Sequence, residues 1–253
     1  MVDLVAKARW VGQQLFDMVV RTGRGPLPSC YSMIEILVAL YYGVKRPEDV
    51  VIISKGHAGI AVYPILADLG LLEPNELETY AQPGSRLCMY AEPRVPGITI
   101  PCASLGIGFG VAAGMAFADR SRRIFAILGD AECYEGSVWE TMLWAAHHHL
   151  TNLVAIVDRN FHGVMCRTED AVRQEPLGEK WRAFGWIVEE CLGHDFRDIQ
   201  GALKCVYPSP LVVIAKTTKA KGLSFWENVP NVHSAILSEE QKAQARKELY
   251  ASA

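Results

Sequence analysis

Apolar residues recur at helical spacing over residues 3–21 and stop at the turn-rich run TGRGPLP, Thr22–Pro28, so the chain is predicted to open on an amphipathic helix. A second helix is predicted over Ser32–Tyr42, with Ser32 and Glu35 at capping-box spacing. Val50–Ile53 (VVII) reads as a short apolar strand that delivers Ser54-Lys55-Gly56-His57 to a sheet edge. Helix patterns cover 58–69 and 74–81. Residues 83–103 are expected to be irregular, because Pro83, Pro93, Pro96 and Pro101 interrupt any regular element. A helix of small residues, Leu105–Ala118, precedes Ile124–Asn160, which reads strand, helix, strand. Two further apolar strands, Trp186–Val188 and Leu211–Ala215, flank a helix near 195–205, and Ser238–Tyr250 is predicted to be a charged, solvent-facing helix. Strands alternating with helices at this spacing predict an α/β fold: a doubly wound, mostly parallel sheet flanked by helices. No linker or internal repeat interrupts the pattern, so residues 1–253 read as a single domain.

Composition narrows the partners. A formal net charge of −3 gives no reason to expect nucleic acid or an anionic membrane. No apolar run approaches the roughly 18 residues of a membrane span, and the N-terminus is amphipathic rather than an apolar signal core. The 7 cysteines are scattered singly with no C-x-x-C pair, which argues against a disulfide framework or zinc site and predicts a reducing, cytoplasmic setting.

The chemistry concentrates in Ile124–Asn160. Gly129-Asp130 ends its first strand and Asn160 follows its second; in a parallel sheet these ends lie side by side at the carboxyl edge, where ligands bind. An Asp and an Asn there can offer oxygens to a hard cation such as Mg²⁺, with diphosphate and water completing the shell. The same residues can equally cap a helix and occupy a turn. Two other motifs lead elsewhere. Gly108-Phe109-Gly110 through Ala113 matches a dinucleotide fingerprint but follows no strand, so the glycines are read as packing positions within a helix. His147-His148-His149 cannot share one metal, since consecutive helical side chains diverge by about 100°; a helix C-terminus favouring positive charge accounts for them.

The block also resembles the thiamine-diphosphate motif, in the version of the transketolase family, GDGE-x-x-EG-x-x-WE closing on NL-x-x-I-x-D-x-N. Gly129-Asp130-Ala131-Glu132, Glu135-Gly136, Trp139-Glu140, Asn152-Leu153 and Asp158–Asn160 fill those places. The resemblance implies thiamine diphosphate and Mg²⁺ as cofactors, with the metal held by Asp130, Asn160 and the backbone oxygen of His162. It extends over nearly the whole chain. Ser54-Lys55-Gly56-His57-Ala58 is similar to the family's S-[KN]-GH-[AG], whose His reaches the diphosphate. Ala103-Ser104-Leu105-Gly106, after Pro96-Gly97-Ile98, is similar to its glycine-rich turn, which places Ser104, Leu105 and Gly106 at the cofactor. Lys216-Thr217-Thr218-Lys219-Ala220-Lys221-Gly222 with His233 resembles KT-x-KGKG…HG, so His57 and His233 are the implied catalytic and diphosphate-facing histidines. Gly129, Asp130, Ala131, Glu132 and Asn160 complete the implied cofactor set.

Three positions depart from the family pattern. Ala131 replaces the second motif glycine, and its methyl fits only at negative φ. Arg24 or Pro26 stands in place of one sugar-contacting histidine, and Tyr90 in place of another. An Arg at Arg24 suits a phosphate, sulfonate or carboxylate, or is simply an exposed loop residue. The resemblance covers only the diphosphate domain of a transketolase. It therefore implies the N-terminal subunit of a split enzyme that moves a two-carbon ketol unit from a ketose to an aldehyde. The partner is a C-terminal subunit, carrying pyrimidine-binding and C-terminal domains, that supplies the catalytic glutamate in an α2β2 heterotetramer. Two alternatives stand beside this: a related, decarboxylative ketol or acyl transfer, and a non-catalytic regulatory subunit.

Overall fold

A computed structural model describes residues 2–101, 103–234 and 236–251. Its centre is a parallel sheet of five strands: β1 (Val50–Ile53), β2 (Ile124–Gly129), β3 (Leu153–Arg159), β4 (Ile187–Leu192) and β5 (Leu211–Lys216), in spatial order β1-β2-β3-β5-β4. The helices are α1 (Leu4–Thr22), α2 (Leu27–Tyr31), α3 (Ile34–Gly43), α4 (Tyr63–Asp68), α5 (Ile107–Ala118), α6 (Gly136–His147), α7 (Thr168–Ala171), α8 (Leu177–Ala183), α9 (Phe196–Lys204) and α10 (Glu239–Tyr250). No helix among the described residues is long and apolar enough to cross a membrane.

The apolar runs of β2, β3 and β5 are buried on both faces, as a strand covered by helices on both sides requires. Phe125 and Ile127, Val154 and Ile156, and Val213 and Ala215 face a core shared with α1, α3 and α9. Their neighbours Ala126 and Leu128, Ala155 and Val157, and Val212 and Ile214 face a second core built on α5, α6 and α8. This alternation is the doubly wound arrangement predicted from the sequence. Registers Leu128↔Val157 and Gly129↔Asp158 bring the ends of β2 and β3 level, so the residues just past each strand meet at one edge.

Most helix boundaries follow from capping chemistry. Asp3 accepts from the N–H groups of Val5 and Ala6, and Gly23 closes α1 in the left-handed region at φ 65°. Ser238 and Gln241 form a reciprocal capping box on α10. The box predicted from Ser32 and Glu35 is not formed. Ser32 keeps helical angles (φ −65°, ψ −22°) instead of the extended ones an N-cap needs, and the helix begins at Ile34. The Ser32 hydroxyl donates to Asp158, with the Ser29 carbonyl 3.0 Å away, while Glu35 pairs with His194 at 3.0 Å. The small-residue helix also starts later than predicted, at Ile107, because Gly106 takes φ 80°. Gly108 and Gly110 lie inside that helix, away from any strand-to-helix turn, so the dinucleotide match is a packing feature. The fourth strand runs to Leu192, past the predicted Trp186–Val188, since Glu189 and Glu190 occupy a half-exposed edge that leaves no apolar signature.

Candidate active site at the carboxyl edge of the sheet

Immediately after β2, Asp130 begins a 3₁₀ turn, Ala131–Tyr134, and is 1 % exposed. Its Oδ1 accepts the Ala131 N–H at 2.8 Å; its Oδ2 accepts the Phe161 N–H at 2.6 Å and Arg159 Nη1 at 3.2 Å. Burial, with the nearby Asp158 charge, pushes the Asp130 carboxyl up to about 6, and Arg159 compensates only in part. Asn160 follows β3. Its Oδ1 accepts the His162 N–H at 3.0 Å and its Nδ2 donates to Asp158 at 3.1 Å. The cap and turn readings of Asp130 and Asn160 therefore hold as local geometry, and both side chains still line the same cleft, with His162 and Gly163. Ala131 sits in a helical turn outside the positive-φ positions, so its methyl meets no backbone strain.

Across the cleft, His57 and His233 face each other with ring centroids 4.9 Å apart, and Ser29 lies 3.3 Å from His233 Nδ1. Burial, then the Lys55 charge, lowers His57 to about 3; burial, then Lys219 and Lys55, lowers His233 to about 4. Both rings are thus neutral, each with one N–H to donate. Protonation of either ring is easier in the unfolded chain, near its ordinary 6.5, so that state gains protons first as pH falls. Stability is expected to decline from about pH 6.5 toward 4. The Asp130 carboxyl opposes this between about 6 and 3.8, since it binds its proton more readily when folded. Denaturant unfolding at a series of pH values checks the histidine share: His233→Gln should flatten the acid limb, and a limb parallel to wild type refutes the assignment.

Beneath the cleft the sheet edge is held by charge. Asp158, fully buried, accepts from Lys55 Nζ, Ser32, Thr217 and Asn160. Burial alone would raise its pKa; the Lys55 charge and these hydrogen bonds bring it below the usual carboxylate range. Lys219 is buried with its Nζ on the Gly163 carbonyl at 2.9 Å, and desolvation lowers its pKa. The family motifs include Lys55 and Lys219 but assign them no role, and they do not reach Ser29. The signal available in the sequence is Lys55, in the same motif as His57; Lys219 is brought near His233 by the fold.

Not every residue expected at the cofactor lies open to it. Leu105 and Glu132 line the cleft, but Ser104 is exposed and outside the lining. The Gly106 N–H is committed to Glu132 Oε1 at 2.8 Å, not free for an anion. Glu132 also takes the Gly129 N–H at 3.0 Å and the Ser54 hydroxyl at 2.5 Å, so it fastens β1, β2 and the start of α5 together. Asn152 is structural: its amide donates to the carbonyls of Ala116, Asp119 and Arg122 and closes the end of α5. Arg24 and Tyr90 are exposed and do not line the cleft. The cleft holds about 60 Å³, well below the roughly 300–1,000 Å³ of a complete small-molecule pocket.

Residues 44–252 match the family described as transketolase, thiamine diphosphate binding domain. The chain is 37% identical over 234 residues to an apulose-4-phosphate transketolase subunit of Actinobacillus succinogenes, covering 86% of this chain and 85% of that one. It is 34% identical to a 6-deoxy-6-sulfo-D-fructose transketolase subunit of a Clostridium species, over 98% of this chain and 96% of that one. The crystal structure of transketolase from Campylobacter jejuni superposes with a TM-score of 0.89 at 26% identity, covering 99% of this chain but only 43% of that longer one.

Proposed function

Because the chain belongs to the transketolase family, as the thiamine-diphosphate-binding subunit of a split enzyme, we propose that Asp130, Asn160 and the His162 carbonyl hold Mg²⁺ while His57 and His233 face the diphosphate. Its relatives of matching length are themselves subunits, so it works within a hetero-oligomeric transferase. The observation that carries the site is the meeting of a buried, under-compensated carboxylate and an amide oxygen with two neutral histidines across one cleft. The donors at the metal position are oxygens, as Mg²⁺ prefers. A carboxyl held up near 6 is short of positive charge, which a divalent cation supplies.

When bound, thiamine diphosphate supplies the carbanion-stabilising chemistry of ketol transfer. The chain's own part is to hold and orient. Lys55 and Lys219 make the cleft floor positive, and the histidine N–H groups are placed to donate to diphosphate oxygens. Neutral rings beside each other can also pass a proton at the acceptor end. The partner is a second polypeptide with the pyrimidine-binding domain and its glutamate, in an α2β2 assembly located in the cytoplasm. Three features support this: the small volume of the cleft, the free thiols of Cys30, Cys133 and Cys191, and an uncovered apolar face on α5 and α6 where Ile107, Phe117, Leu143 and Trp144 are exposed.

Both of these relatives are named for ketose derivatives, which supports a ketose donor over an α-keto acid. The test is reconstitution. The chain and its partner together, with Mg²⁺ and thiamine diphosphate, should consume a ketose phosphate or sulfonate when an aldehyde is supplied, and neither polypeptide should do so by itself. Calorimetry that finds no Mg²⁺-dependent cofactor binding to the assembled pair at millimolar concentration overturns the proposal.

A further inference from the structure

We infer that Arg159 is the positioning residue of the metal site: it occupies one oxygen of Asp130 so that the other is left for the cation. The inference rests on the Mg²⁺ reading above and concerns a residue that the family motif leaves variable. Arg159 is 1 % exposed at the end of β3, between the apolar strand and the ligand Asn160. All five N–H groups of its guanidinium are used. Nη1 donates to Asp130 Oδ2 at 3.2 Å and to Thr168 Oγ1 at 2.8 Å. Nη2 donates to Glu169 at 2.7 Å and Glu175 at 2.8 Å, and Nε donates to Glu175 at 3.2 Å. The guanidinium also lies 4.0 Å from the centre of the Phe161 ring, and Phe161 gives its own N–H to Asp130 Oδ2.

With Arg159 and the Phe161 N–H both on Oδ2, that oxygen is saturated, whereas among the described residues Oδ1 takes the Ala131 N–H alone and keeps a lone pair. The carboxylate is therefore turned, before any metal arrives, with a single oxygen to offer. In addition, Glu169 and Glu175 offset the guanidinium charge from its far side, so an incoming cation does not face an unbalanced positive group. The same 168–175 segment grips the Asp130 backbone, whose carbonyl accepts from Gln174 Nε2 at 2.8 Å. Arg159 thus links that segment to the ligand. A lysine, with three donors on a single nitrogen, cannot reproduce a planar five-donor fork.

The test uses Mn²⁺ as the probe, with the chain reconstituted with its partner in excess thiamine diphosphate, and reads free and bound metal by electron paramagnetic resonance. Arg159→Lys, which keeps the charge, and Arg159→Gln should each raise the Mn²⁺ Kd by roughly 10–100-fold, the range for partners that orient ligands. The bound-Mn²⁺ lineshape should change as well. Glu175→Gln, which touches neither Asp130 nor the cleft, should raise Kd by a smaller factor, and it keeps the test open if Arg159→Gln does not fold. Wild-type binding with Arg159→Lys equal or tighter overturns this inference and leaves the metal site standing. No Mn²⁺ binding by wild type removes both.

Discussion

Alanine at Asp130 is expected to abolish Mg²⁺-dependent ketol transfer by the reconstituted enzyme without unfolding the chain. The loss follows from where the charge sits. Asp130 is the one carboxylate in the proposed ligand set, and an amide and a carbonyl alone bind a hard dication weakly. Partners that merely orient a ligand cost about 10–100-fold in metal affinity, so removal of the ligand itself should exceed roughly 100-fold. The fold should survive because Arg159, the buried cation left behind, keeps Thr168, Glu169 and Glu175. Asp130→Asn separates charge from shape: it retains an oxygen but not the anion, and should lie between alanine and wild type at saturating Mg²⁺. Steady-state rates over a Mg²⁺ titration, beside thermal melts of the free chain, decide the matter. An Asp130→Ala enzyme whose activity keeps the wild-type dependence on Mg²⁺ concentration would remove Asp130 from the ligand set.

The sheet was legible in the sequence because β2, β3 and β5 are buried on both faces and read as unbroken apolar runs. Their ends then carried Asp130 and Asn160 to one edge by topology alone. The elements that escaped a sequence reading did so for two physical causes. Edge strand β4 sets Glu189 and Glu190 side by side between the half-buried Ile187–Val188 and the buried Cys191, so its outer half has no hydrophobic period. The 168–175 segment has no period either: its Glu169 and Glu175 act by pairing with Arg159 at the end of β3, and its Gln174 by donating to the Asp130 carbonyl. Arg159 left no such signal: a charged residue closing an apolar strand is as readily exposed, as Lys216 is at the end of LVVIAK, and only the fold buries Arg159 among carboxylates. Ser32 misled for the opposite reason: its spacing from Glu35 is right for a capping box, yet a buried carboxylate within reach is the stronger acceptor for its hydroxyl.

That carboxylate, Asp158, yields the largest expected effect on stability. It joins the ends of β1, β3 and β5 to the α2–α3 junction through Lys55, Thr217 and Ser32, with almost no solvent contact on either member of the Lys55–Asp158 pair. Asp158→Ala leaves the Lys55 ammonium buried with only the Ser29 carbonyl at 3.0 Å as a partner. Breaking a buried pair from one side costs about 3–5 kcal/mol. At roughly 2–4 °C per kcal/mol for a chain near this size, the melting temperature should fall by about 6–20 °C. The penalty belongs to the stranded charge rather than to the lost bond. Hence Lys55→Met combined with Asp158→Ala should be less destabilised than Asp158→Ala alone, a non-additivity expected only of residues in direct contact. Both variants also release Asn160 Nδ2 from its anchor, so Mg²⁺ affinity should fall even in the double variant, where stability is partly regained. Thermal melts and Mg²⁺ titrations of the single and double variants measure the two effects separately. A double variant no more stable than Asp158→Ala would mean that Asp158 acts through Ser32 and Thr217 rather than through Lys55.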